Sequence, residues 1–99
     1  MTAPTPEADF LLGLAEECNP PQGHPVNDSA TMEFVTAGGW TVVFFYDAGD
    51  LDYIEKFISP EGDEVDFWAW PEDHAGREAM IAWRGVGDLN RLRQEGKIP

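Results

Sequence analysis

Three aspartates within six residues, Asp47, Asp50 and Asp52, are by type the side chains best suited to hold a hard cation. Calcium needs several oxygen donors at once, and an EF-hand supplies them at alternating loop positions followed by a glycine. Counted from Asp47, those alternating positions fall on Gly49 and Leu51; counted from Glu61, Asp63 fits but Val65 does not. The three aspartates therefore read first as a solvated acidic turn, and only second as a weak surface cation site. One Cys and two His cannot furnish a tetrahedral zinc set without carboxylates. No metal and no cofactor is expected.

Covalent catalysis would need Cys18 or a serine beside a histidine. Cys18 falls on the apolar stripe of a helical segment, where an inert buried thiol is the ordinary outcome. His24 and His74 have no partner close in sequence. Gly85-Val86-Gly87 lacks the strand-to-helix setting of a phosphate loop. Acids are so abundant that no carboxylate pair stands out for acid–base work. No catalytic residue is assigned, and the chain reads as a non-enzyme.

Protein binding is the chemistry these residues favour. From Asp47 to Asp73 there are ten acids and one lysine, a net of −9. Asp47, Asp50, Asp52, Glu61, Asp63, Glu64 and Asp66, with Trp68 and Trp70, are the expected partner-binding residues. Strand alternation would set Asp66, Trp68 and Trp70 on one face. Aromatic anchors inside a charged rim are the anatomy of an interaction hot spot. The competing arrangement packs both tryptophans beneath a C-terminal helix as core.

The whole chain carries the same bias. Its 99 residues hold 19 acids against 6 Lys and Arg, a net of −13. Residues 1–73 contain sixteen acids and only Lys56, a net of −15; residues 74–99 contain five bases and three acids, a net of +2. Such a field repels nucleic acid and anionic membrane and draws in basic surfaces. Direct nucleic-acid binding is thus not expected. Six Phe, four Trp and two Tyr within 42% hydrophobic residues suffice for one core, so residues 1–99 read as a single domain. No apolar run has the length of a membrane span, the N-terminus has no basic leader, and a lone cysteine demands no oxidising compartment. A cytoplasmic protein is the expectation.

The elements that must position these residues are α+β in pattern. Residues 1–5 should be disordered; Thr5-Pro6-Glu7 then opens a helix in which Leu11, Leu14, Ala15 and Cys18 recur at helical spacing. Residues 19–30, with three prolines, form a loop. Four strands follow in a meander: Thr31–Thr36, Trp40–Asp47, Leu51–Ser59 and Val65–Trp70. Turns at Ala37-Gly38-Gly39, Ala48-Gly49-Asp50 and Pro60-Glu61-Gly62-Asp63 separate them. The second strand lacks clean alternation and should be covered on both faces. Asp73 should cap a helix running to Arg84, Gly85-Val86-Gly87 should break it, and a short helix from Asp88 to Glu95 should end at Gly96. The expected core includes Leu11, Leu14, Phe44, Phe45, Ile54, Phe67, Met80 and Trp83.

Gly39-Trp40, Phe44-Phe45, Asp47, Leu51-Asp52-Tyr53 and Pro60-Glu61-Gly62 together resemble a pattern found in a family of small, uncharacterised proteobacterial proteins. The resemblance spans residues 39–62, implies a hairpin-based fold and carries no activity; past Trp70 the sequence departs from it. In size, charge and fold class the chain also resembles the small acidic inhibitors of phages and bacteria, such as anti-CRISPR and nuclease immunity proteins. That likeness implies an inhibitor occupying a basic, nucleic-acid-binding surface of a target protein, with carboxylates in place of phosphates. Two alternatives stand beside it. One is a homo-oligomeric accessory domain, in the simplest case a homodimer, that buries Trp40, Trp68 and Trp70 against a second copy. The other is a small metal-dependent binder or enzyme built on the 47–52 acids.

Overall fold

A computed structural model describes residues 8–23, 29–74 and 76–98. The expected disorder of residues 1–5, the helix start at Thr5, and residues 24–28 of the 19–30 loop, His24 among them, lie outside them. The first helix, α1, spans Ala8–Cys18. Ala8, Leu11, Leu12 and Ala15 are buried at helical spacing along one stripe, with Leu14 at its border.

Four strands follow: β1 (Ala30–Val35), β2 (Thr41–Asp47), β3 (Asp50–Ile58) and β4 (Glu64–Val65). They form one antiparallel meander in the order β1-β2-β3-β4. A 3₁₀ turn at Phe67–Ala69 leads into α2 (Arg77–Ala82) and α3 (Asp88–Gln94). The chain is therefore α+β, with an N-terminal helix, a four-stranded antiparallel sheet and C-terminal helices.

The turns follow their sequences. Ala48 and Gly49 both have positive φ, the two-residue geometry that suits the right-handed twist of a hairpin. Around Ala37-Gly38-Gly39, the Trp40 amide donates to the buried Thr36 hydroxyl and closes the β1–β2 loop. At the β3–β4 turn the Asp63 amide donates to the Ser59 hydroxyl.

The core lies between the helices and one face of the sheet. Val42, Phe44 and Tyr46 of β2 and Ile54 and Phe57 of β3 are fully buried there, against Leu11, Leu12, Met80, Trp83 and Leu92. Phe44 packs between Phe34 and Trp83, with ring centroids 5.6 and 5.7 Å away. Tyr46 donates its hydroxyl to the Pro21 carbonyl at 2.6 Å, which ties the connector after α1 to the sheet. Gly76 is buried at φ 84°, and a β-carbon there would collide with the Ala8 methyl. A glycine is what lets α2 start this close to α1.

Three expectations need correction. The fourth strand stops at Val65 instead of reaching Trp70. Phe67 is drawn fully into the core, and the chain satisfies that pull by curling into a 3₁₀ turn. The helix expected from Asp73 begins at Arg77, with Gly76 at its N-cap; residues 71–74 form turns instead. Phe45 is not core: it lies half-buried on the opposite face of the sheet, so β2 is roofed by helices on one side only.

α3 has glycine rather than an acid at its N-cap, and a distant carboxylate takes over that role. Glu16, near the end of α1, accepts from the Gly87 amide at 3.0 Å and the Leu89 amide at 3.2 Å. At the other end, Gly96 at φ 77° and the bonds Gly96 N–H to Arg93 and Lys97 N–H to Leu92 form a Schellman close. Glu16→Ala should therefore destabilise the domain by about 1–2 kcal/mol in urea unfolding, as loss of a good cap does. Glu16→Gln, whose amide oxygen still accepts, should lose less. Equal stability of all three proteins would show that α3 docks without this cap.

Candidate functional site

The face of the sheet turned away from the helices is a mixed aromatic and acidic surface. Register places Glu33, Val43 and Lys56 in one row across it, and Thr31, Phe45 and Tyr53 in the next. Phe45 stacks on Tyr53 with centroids 4.9 Å apart, and Tyr53 meets the edge of Trp68 at 5.3 Å. Trp68 is held in place because its indole N–H donates to the Ile54 carbonyl at 3.2 Å. That bond takes the place of a strand amide along β3, where β4 has already turned away.

The same departure opens a cleft of about 480 Å³ lined by Tyr53, Glu55, Lys56, Glu64, Asp66 and Trp68. Lys56 and Glu64 pair across it at 3.0 Å. The hydrogen bond that Lys56 donates to the Glu64 carboxylate raises its ammonium above the usual range, helped by the charges of Glu64, Glu55 and Glu33. Glu55 owes its place to one of the irregularities in the β2–β3 register, between Lys56 and Ile54.

The expected partner-binding residues divide among several places. Asp47 and Asp50 pair in register at the tip of the β2–β3 hairpin. Asp52, half-buried in the stretch of β3 between Leu51 and Tyr53 where the register shifts, lies 3.9 Å from the Arg84 guanidinium. Glu61 and Asp63 are exposed in the β3–β4 turn, the length of β3 away, roughly 25 Å at an ordinary strand rise. Glu64, Asp66 and Trp68 line the cleft between these ends. Trp70 is separated from Trp68: in the 3₁₀ turn, residues three apart fall on one side, so Trp70 packs its edge on Phe67 and stacks on His74 at 3.9 Å. The common face expected for Asp66, Trp68 and Trp70 is thus not formed. Both tryptophans are half-buried and packed against the margin of the core.

Positive charge is largely neutralised elsewhere. Arg91 pairs with Asp88 and Glu95, Arg93 with Asp9, and Lys97 with Glu78 and Glu95. Arg77 donates to the Trp68 carbonyl at 3.3 Å and ties α2 to the 3₁₀ turn. Among the described residues, Glu33, Asp47, Asp50, Glu55, Glu61, Asp63 and Asp66 have no cationic partner within salt-bridge distance.

Among the described residues, no three of His, Cys, Asp and Glu converge as a metal-binding group. Cys18 is half-buried at the end of α1, and burial, with the nearby Glu17 charge, pushes its thiol up to about 11. A thiol so protonated is a poor nucleophile at neutral pH. No helix of the described residues is long and apolar enough to cross a membrane.

A small α+β domain with one open sheet face is the class that this geometry defines. The chain belongs to the family described as a domain of unknown function (DUF7693), whose pattern matches residues 16–82. That span covers all four strands, the cleft and α2, and it includes residues 39–62, which carried the resemblance to an uncharacterised family. No curated protein and no solved structure matches the chain.

Glu33, Glu55 and Lys56 were not among the expected partner-binding residues and Phe45 was expected in the core, yet all four complete the surface. The signal was present in the partial alternation of Leu51–Ser59 and in Lys56 as the only base of the acidic segment.

Proposed function

We propose that this chain is a protein-binding inhibitor whose open sheet face docks on a basic, nucleic-acid-binding surface of another protein. Its carboxylates stand in for phosphates, in the manner of anti-CRISPR or nuclease immunity proteins. In this reading it acts in the cytosol, without a cofactor and without catalysing a reaction. The observation that carries the reading is the pairing of an unroofed aromatic patch with carboxylates that lack cationic partners among the described residues, while five of the six basic residues lie beyond residue 73. Aromatic rings there supply contact area, and the uncompensated charge supplies attraction to a Lys/Arg-rich surface.

Self-association fits this surface poorly. Two copies meeting face to face would bring like-charged rims together at a net charge of −13 each. Charge of this kind acts mainly on encounter rate, so association with the partner should slow steeply as salt rises, with dissociation changed much less. Surface-bound kinetics across a salt series measure this. Binding that is indifferent to salt, together with a mass that grows with concentration, would favour the homodimer instead.

A further inference from the structure

The cleft beside Trp68 has features that a generally acidic face does not require. Two aromatic side chains and three carboxylates line it, and its single resident cation, Lys56, is engaged by Glu64. Glu55 and Asp66 are left without a cationic partner among the described residues, both exposed at the rim. Its volume of about 480 Å³ lies within the span of sites that receive small ligands. Trp68 is fixed by its bond to the Ile54 carbonyl and by its edge contact with Tyr53, so the wall of the cleft is preorganised.

We propose that this cleft receives a guanidinium group, an arginine side chain of the partner that stacks against the Trp68–Tyr53 wall and is held by Glu55 and Asp66. The proposal rests on the protein-binding reading above and assigns its anchor. The chemistry selects guanidinium over ammonium for two reasons. A guanidinium is flat and weakly hydrated, so it lies on aromatic rings at little desolvation cost. Its fork of N–H donors can also bond two carboxylates at once, which a compact ammonium does less well. Lys56 shows that the local field holds a cation, since Glu64, Glu55 and Glu33 all favour its charged form.

The test uses the full ¹⁵N-labelled chain titrated at low salt with octa-arginine, octa-lysine and octa-citrulline peptides. Octa-arginine should give saturable shifts at the Trp68 indole N–H and at the Glu55 and Asp66 amides, and should bind about three- to tenfold more tightly than octa-lysine. Octa-citrulline, uncharged, should leave the spectrum unchanged. The double variant Glu55→Gln/Asp66→Asn, at exposed positions, should weaken octa-arginine binding about fivefold or more. Asp47→Asn/Asp50→Asn removes the same charge from the distant hairpin tip and should cost clearly less. Trp68→Leu should erase the preference for arginine over lysine; if circular dichroism shows that it unfolds, the two double variants decide. Equal losses from both double variants, or equal affinity for the two polycations, would overturn the cleft while leaving charge-driven docking in place. No binding of either polycation at low salt would overturn the cleft and the protein-binding reading together.

Discussion

Truncating Phe44 to alanine lowers the free energy of unfolding by about 3–5 kcal/mol. Its ring is fully buried at the centre of β2, flanked by Phe34 and Trp83, and paired in register with Met32 and Ile54. No neighbouring side chain is free to collapse into the space, because the sheet on one side and α2 on the other are both fixed by their own packing. For a domain of this size the loss is a large fraction of the total stability and moves the thermal midpoint by roughly 12 °C or more. The matched control is Phe45→Ala, one residue along and on the open face, where the half-buried ring should cost markedly less. A Phe44→Ala protein that melts where the parent does would mean that the helices do not cover this face of β2.

The second large effect is on association. Asp47, Asp50, Glu61 and Asp63 stand at the two ends of β3, exposed and without cationic partners among the described residues. Replacing all four by amides removes steering charge and leaves the cleft and the core untouched. The rate of association with the partner should fall about tenfold or more, since charge-lined surfaces raise encounter rates by at least that factor. Each single replacement should be nearly silent, because an exposed charge acts through the sum. The fold should survive and gain slightly from reduced self-repulsion, which a denaturation curve on the same samples checks. An undiminished association rate in the quadruple variant would mean that these acids serve only as a solvated face.

Much of the architecture was legible in the sequence because local signals agreed with the global fold. Helical spacing of Leu11, Leu14 and Ala15, the Ala48-Gly49 and Pro60–Asp63 turns, and Gly96 after a short helix each mark what the structure contains. Two of the misreadings share a cause, tertiary packing overriding the local pattern; Phe45 was misread the other way, since β2 does alternate between Phe44 and Phe45. Val65–Trp70 alternates well enough for a strand, yet burying Phe67 fully turns the backbone into a 3₁₀ helix. That turn parts Trp68 from Trp70 and opens the cleft. Likewise, no local signal in 71–77 announces that α2 must wait for Gly76, because the constraint is its contact with Ala8, far away in sequence. The Glu16 cap on α3 joins residues more than seventy apart and could not be found by spacing. The acidic segment itself was evident; its division between the ends of β3 and a central aromatic cleft depends on register.

Competition with nucleic acid tests the central claim most directly. A partner recovered at low salt on the parent chain, and not on the quadruple amide variant, is loaded with a fluorescent oligonucleotide and titrated with this protein. The oligonucleotide should be displaced completely, at one chain per binding surface, and displacement should weaken as salt rises. A ternary complex in which partner, oligonucleotide and this chain remain together at saturation would contradict the account.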